Sequence, residues 1–224
     1  MKKVMRKKVL LFGSTGFLGK KFLSLSGKDY DITPITRKNI DFEKEIDSIP
    51  QTLRDVLKSR KKNRFDACLF FHGIGPSLST KNMEFEHFEK MIRINIIGPA
   101  IILNYLIDEK YLNNSSSVIF ISSIAVKKGS YDCAYAASKS ALSGLIQSFS
   151  KTYTDIRFNC LSLGLVDSSP THLGMTPDFV EKHRKAMFDN KLIDPKDVIN
   201  AARFLIENKG IAKTEISLDG GYKL

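Results

Sequence analysis

Short apolar runs that alternate with stretches of helical spacing constrain the possible folds of this chain more than any other feature. The runs cover residues 7–12, 31–36, 67–71, 118–121, 157–163 and 215–218. Helical spacing covers residues 17–25, 46–59, 85–107, 135–153 and 194–208, the last with Asp194 as cap and Pro195 in its first turn. Such a pattern predicts the α/β class: a Rossmann-type, doubly wound parallel sheet with helices on both faces. Pro34 lacks a backbone donor and places the second strand at an edge. Gly98-Pro99 predicts a kink or a tight packing contact in the long helix. In open parallel sheets ligands bind at the carboxyl ends of the strands. Nearly every unusual cluster in this sequence lies at such an end.

The 224 residues suit one domain, taken as 1–224. No apolar run reaches the roughly 18 to 20 residues of a membrane helix. The basic start is followed by only four apolar residues, 9–12, too few for a signal-peptide core. The expected location is therefore cytoplasmic, with no membrane partner. Cys68, Cys133 and Cys160 are odd in number and lack CxxC spacing, so they predict core thiols rather than disulfides or a metal site. The net charge of +11 raises the question of a polyanionic partner. The cations are scattered apart from stretches 2–8 and 58–64, and no aromatic residues interleave with them to stack on bases. A solvated lysine-rich surface, not nucleic-acid binding, is expected.

Gly13-Ser14-Thr15-Gly16-Phe17-Leu18-Gly19 follows the first strand and opens a helix. Glycines allow the backbone to approach a pyrophosphate, and the helix N-terminus favours its charge. The spacing is GxxGxxG, and the strand-to-helix context that the motif needs is present. After the second strand comes Thr36-Arg37-Lys38-Asn39. An acid there would hold the ribose of NAD, whereas cations accept the extra phosphate of NADP. Arg37 therefore favours NADP, with NAD as the other option. Ser14 is expected to add a hydroxyl to the same phosphate, and Asp41 to accept from the adenine amino group.

Tyr135 and Lys139 stand at i and i+4, on one face of a helix. A free phenol titrates near ~10 and is a poor acid-base group at neutral pH. A nearby ammonium and a cationic nicotinamide would both lower that value. Ser122 and Ser123 end the preceding strand, 13 and 12 residues before Tyr135, where a hydroxyl can polarise a carbonyl. Asn95, on the long helix, is placed to anchor a water beside the lysine.

With these motifs in order, the chain resembles the short-chain dehydrogenase/reductase family over nearly its whole length, as a compact divergent member. The glycine turn resembles the nucleotide turn of the family's extended and divergent branches. His72-Gly73-Ile74-Gly75 stands where the family usually has Asn-Asn-Ala-Gly, which assigns His72 and Gly73 to the cofactor. Arg93-Ile94-Asn95 resembles the segment with the catalytic asparagine, and Ile121-Ser122-Ser123 and Tyr135 to Lys139 resemble the serine and Tyr-Lys motifs. Asp219-Gly220-Gly221 resembles the family's ending.

The resemblance implies that Tyr135 is the general acid in reduction and the base in oxidation. It implies that Lys139 tunes the phenol and binds the ribose, that Ser123 positions the carbonyl, and that Asn95 completes a water relay. Motif alignment selects Ser123; the family's usual distance to the tyrosine selects Ser122. Val166 and Ser168 would touch the nicotinamide carboxamide. Leu163 replaces the usual proline before Gly164, which predicts a looser seat. A homodimer or homotetramer, pairing the helices near 85–107 and 135–153, is also implied.

Residues 168–192 fall where the family carries its substrate lid. Pro170, His172, Met175, Phe179, His183 and Arg184 mix apolar and basic character there. The expected substrate is a small carbonyl or alcohol, with an anionic or carrier-linked one in view. Two rival readings are a sugar-nucleotide-modifying enzyme, from the GxxGxxG spacing, and a non-catalytic dinucleotide sensor. The retained Tyr135 and Lys139 argue against the sensor.

Overall fold

Lys8–Phe12 forms the first strand, β1, and its last four side chains are buried. Leu10 and Phe12 enter one hydrophobic cluster, Val9 and Leu11 another, following the two-residue period of a strand. A strand buried on both faces needs a layer on each side. The computed structural model describes residues 5–43, 46–58, 64–77 and 79–223.

After β1 come α1 (Phe17–Ser26), β2 (Asp31–Ile35), α2 (Ile49–Leu57), β3 (Phe65–Phe70), α3 (Phe85–Ile92) and α4 (Gly98–Asp108). Then follow β4 (Leu112–Ser123), α5 (Ala125–Lys128), α6 (Cys133–Thr152), β5 (Arg157–Leu163), α7 (Pro170–Leu173), α8 (Pro177–Ala186), α9 (Pro195–Glu207) and β6 (Thr214–Leu218). The strands pair in parallel in the order β2-β1-β3-β4-β5-β6. Helices α2, α4 and α6 pack on one face, α1 and α9 on the other. This is the doubly wound α/β fold that the alternating pattern predicts. The chain leaves β1 to one side for β2 and to the other for β3. The resulting crevice is the topological switch point, where ligands bind in such sheets. Pro34 does lie in an edge strand, in register with Leu11.

Three expectations shift. Strand β4 begins at Leu112, earlier than residue 118, because its polar start is fixed by tertiary contacts. Asn113 donates to Asp66 Oδ1 at 2.8 Å, and Ser117 Oγ donates to the Leu205 carbonyl at 2.9 Å. The long helix is interrupted by a π-helical turn, Arg93–Ile97. Gly98 follows because a Cβ there would lie 2.3 Å from the Phe42 ring. Finally, Phe85–Asp108 as a whole is long and apolar enough to cross a membrane, which its individual apolar runs did not indicate. Half of its most apolar window is buried inside the protein, as expected of a core helix.

Arg157 opens β5 and is buried beneath the end of α9. Its guanidinium donates to the carbonyls of Leu205 (2.8 Å), Asn208 (2.6 Å), Ile206 (3.2 Å) and Ser115 (3.3 Å). The last carbonyls of a helix have no partners within the helix and carry partial negative charge, so a fixed cation there satisfies both needs. Cys68 and Cys160 are buried free thiols, and Cys133 is a partly buried one. Most of the 58–64 basic stretch lies outside the described residues.

Candidate active site

The glycine turn is shaped by contacts that no side chain could share. Gly13 has φ +77°, and a Cβ on it would meet the His72 backbone nitrogen at 2.4 Å. A Cβ on Gly19 would lie 2.1 Å from the Gly13 carbonyl oxygen. The turn is thus wedged between the end of β3 and the start of α1, with Gly16 as the helix cap. Gly13, Thr15, Gly16, Phe17 and Leu18 line a cleft of about 760 Å³. Ser14 and Gly19 lie behind the turn. Ser14 is buried and its hydroxyl donates to the Ile35 carbonyl at 3.0 Å. That proton is already committed to joining the turn to β2, which corrects the expectation of a phosphate contact from Ser14. The open turn and its bare helix N-terminus fit the pyrophosphate of a dinucleotide.

At the β2 end, Arg37, Asp41, Phe42 and Glu43 line the cleft. Arg37 is half-engaged already: it pairs with Glu43 at 2.9 Å and with Asp41 at 3.5 Å. Glu43 has a second cation, Lys90, at 3.1 Å. The Phe42 ring stacks on His72 with centroids 4.5 Å apart. Burial, and then the Lys139 charge, push the His72 imidazole down to about 3, so it is neutral at physiological pH.

The catalytic candidates meet at the carboxyl ends of β4 and β5. Ser122, Ser123, Tyr135 and Lys139 all line the cleft. Burial pushes the Tyr135 phenol above its ordinary value, and the nearby Ser123 hydroxyl partly offsets this. The Ser123 hydroxyl accepts from the Ala125 nitrogen at 3.2 Å, whereas the buried Ser122 hydroxyl has no partner among the described residues. The Lys139 ammonium stands 5.9 Å from the Tyr135 ring centroid and donates to the Ile121 carbonyl at 2.9 Å. Desolvation pushes Lys139 down to about 8.

Asn95 sits in the π-helical turn, buried behind the cleft. Its Oδ1 accepts from the Ile74 nitrogen at 3.0 Å, and its Nδ2 donates to Ser138 Oγ at 3.0 Å. The Asn95 side chain therefore braces the loop after β3, and its amide does not face the cleft. A Cβ on Gly73 would come within 3.0 Å of Asn95 Oδ1 and 3.4 Å of Lys139 Nζ, so Gly73 keeps that corner open.

Val166 lines the cleft, whereas Ser168 is exposed beside it with φ 55°. The neighbouring Ser169 and Thr171 line the cleft instead. Leu163 is in register with Ser123 on one side and Leu218 on the other, and Gly164 donates to the Leu218 carbonyl at 2.9 Å. The 168–192 segment, expected to be the substrate lid, contains α7 and α8.

Sequence reasoning missed Phe42 and Asp132. Asp132 is buried and caps α6, its Oδ1 accepting from the Tyr135 nitrogen at 3.1 Å. Its Oδ2 accepts from the Ser77 nitrogen at 3.0 Å and from His87 Nε2 at 2.9 Å. An aspartate just before a helical stretch is a cap signal, and it was available in the sequence.

Fold and cleft together define a class: a doubly wound α/β protein with a dinucleotide-shaped cleft ending at a Ser-Tyr-Lys group. The family model described as enoyl-(acyl carrier protein) reductase matches residues 36–223. The chain belongs to the short-chain dehydrogenase/reductase family of oxidoreductases. It is 24% identical over 217 residues to the Danio rerio protein dehydrogenase/reductase SDR family member 6, covering 85% of this chain and 87% of that one. Among solved structures, a short chain dehydrogenase family protein from Francisella tularensis superposes with a TM-score of 0.82 at 21% identity, covering 97% and 99% of the two chains. A small-chain dehydrogenase in complex with NADPH gives 0.82 at 19% identity over 97% and 98%. A 4-hydroxyisoleucine dehydrogenase complexed with NADH gives 0.82 at 19% identity over 96% and 98%.

Proposed function

We propose that this protein is an NADP(H)-preferring oxidoreductase that interconverts a carbonyl and an alcohol, with Tyr135 as the proton donor in reduction. The observation that carries this reading is a single cleft that begins at the glycine turn and ends at Ser123, Tyr135 and Lys139. A nicotinamide dinucleotide bound in that cleft supplies the hydride. Ser123 is placed to donate to the substrate oxygen, and Tyr135 to deliver the proton to it as negative charge develops. Because burial raises the Tyr135 phenol, it is protonated at neutral pH, which suits the reductive direction. The family model's description names an enoyl-carrier substrate, and one structural neighbour is a 3-oxoacyl-(acyl-carrier protein) reductase. Together they support an acyl chain, free or carrier-linked, with the ketone taken from the second. The test is a panel of ketones assayed with NADPH and NADH by nicotinamide absorbance. Absence of oxidation of either cofactor across the panel would overturn the reading.

Cofactor choice turns on Arg37. Arg37→Ala is expected to weaken NADPH binding by about tenfold or more while sparing NADH, since one charge-assisted contact to the extra phosphate is lost. Glu43→Gln is expected to tighten NADPH selectively, because Arg37 is then released and Glu43 no longer repels the phosphate. Equal effects on both cofactors would show that Arg37 is only a surface charge.

Lys139 gives a pH signature. Its folded value is depressed to about 8, so in the free protein it carries its charge below that pH and loses it above. The ammonium attracts an anionic cofactor. NADPH affinity should therefore be highest below about pH 8 and fall above it, about tenfold for each unit by which binding raises the lysine. Fluorescence titrations across this range should show the break in the wild type and none in Lys139→Met.

We also place the protein in the cytoplasm as a homo-oligomer. Supporting the latter, Phe85 and Ile97 on the expected pairing helices are exposed.

A further inference from the structure

The two ends of the cleft differ in charge. Its acidic lining residues, Asp41 and Glu43, both stand at the β2 end. Beyond Ser123 and Tyr135 the lining turns apolar, with Ile74, Leu165, Met175 and Phe179. Lys128, at the end of α5, and His183, on α8, complete that end. No carboxylate is among the described residues that line it.

Lys128 and His183 flank a common ring. The Lys128 ammonium lies 5.1 Å from the Tyr222 centroid, and the His183 and Tyr222 centroids are 5.6 Å apart. His183 is only 6% exposed, and its Nδ1 has no hydrogen-bond partner among the described residues. A buried ring nitrogen without a partner is costly unless a ligand supplies one. The nearby acid on α8, Glu181, is engaged by Arg184 at 3.4 Å and Lys185 at 3.9 Å.

We propose that this end of the cleft recognises a substrate carrying a single carboxylate on an apolar body, with Lys128 as its counter-charge and His183 as a hydrogen-bond donor. The proposal rests on the reading of Ser123 and Tyr135 as the carbonyl site. Burial and then the neighbouring lysine charges depress both groups: Lys128 falls below its ordinary value, and His183 is pushed down to about 4. Of the two neighbouring ammoniums, Lys128 and Lys182, only Lys128 lines the cleft, so beside a neutral imidazole the lining at this end offers a single positive charge. That matches a carboxylate better than a phosphate dianion. A bound anion also relieves the mutual repulsion of Lys128 and Lys182.

The test separates binding from turnover. Hexanoate and hexanamide share an apolar body and differ in charge; neither needs to react. Calorimetric titration of the protein, with and without NADPH, should show hexanoate binding at least about tenfold tighter than hexanamide. Lys128→Met should remove that preference, Lys128→Arg should keep it, and Lys127→Met, outside the cleft, should leave it unchanged. In turnover, a keto acid should be preferred over its methyl ester, with the preference lost in Lys128→Met through KM rather than kcat. Hexanoate binding no tighter than hexanamide in the wild type would overturn the anion site, whatever the panel shows for ketone reduction. So would an equal loss in the Lys127 and Lys128 variants. Carboxylate binding without reduction of any carbonyl would instead overturn the reductase reading and leave the anion site standing.

Discussion

Tyr135→Phe is expected to lower kcat by about 10²–10⁴-fold, the usual contribution of a positioned general acid, with NADPH affinity within about twofold of wild type. The ring remains and the i+4 relation to Lys139 is unchanged; only the proton is removed. Ser123 can still polarise a carbonyl, but no group then neutralises the developing alkoxide. Stopped-flow reduction of any ketone found active, beside a fluorescence titration of NADPH, reads both quantities. Full activity in the variant would transfer the proton-donor role to another group. A joint loss of activity and cofactor binding would mean that the phenol serves the architecture of the cleft instead.

Arg157→Met should be the most destabilising single change away from the cleft. The variant keeps the packing of the stem and removes the guanidinium donors to Leu205, Ile206 and Asn208 at the end of α9, leaving only the Ser117 hydroxyl on Leu205. Those carbonyls, with Ser115 O, would be left without a cation in a buried place. A loss of about 3 kcal/mol is expected, which for a chain of this size lowers Tm by about 6–12 °C. Differential scanning calorimetry checks it. A shift below about 2 °C would mean that water takes over the helix end.

The layers of this fold were legible because their signals are local. A strand with buried residues on both faces declares itself in a few residues, and GxxGxxG marks the turn behind it. What escaped depends on contacts across the chain. The polar run 113–117 looks like a loop until Asp66 and Leu205 claim Asn113 and Ser117. Arg37 looks like a free phosphate ligand until Glu43 is brought within 2.9 Å of it. Ser14 looks like a hydroxyl for a ligand until the Ile35 carbonyl takes its proton. Between Ser122 and Ser123, motif and distance selected different residues, because the choice depends on where the phenol lies in space. Asn95 was nominated by its motif, whereas its bracing of Ile74 depends on contacts across the chain.

Asp132 carries a consequence for how the site works as a machine. One carboxylate grips the nitrogen of Tyr135, the nitrogen of Ser77 in the loop after β3, and the ring of His87 on α3. Those three segments share a single anchor point, so a displacement of one drags the others. The wall on which a cofactor would lie and the helix that presents the phenol form one rigid jig. Under the proposed function, the spacing between a bound nicotinamide and the Tyr135 phenol would then be set when the chain folds.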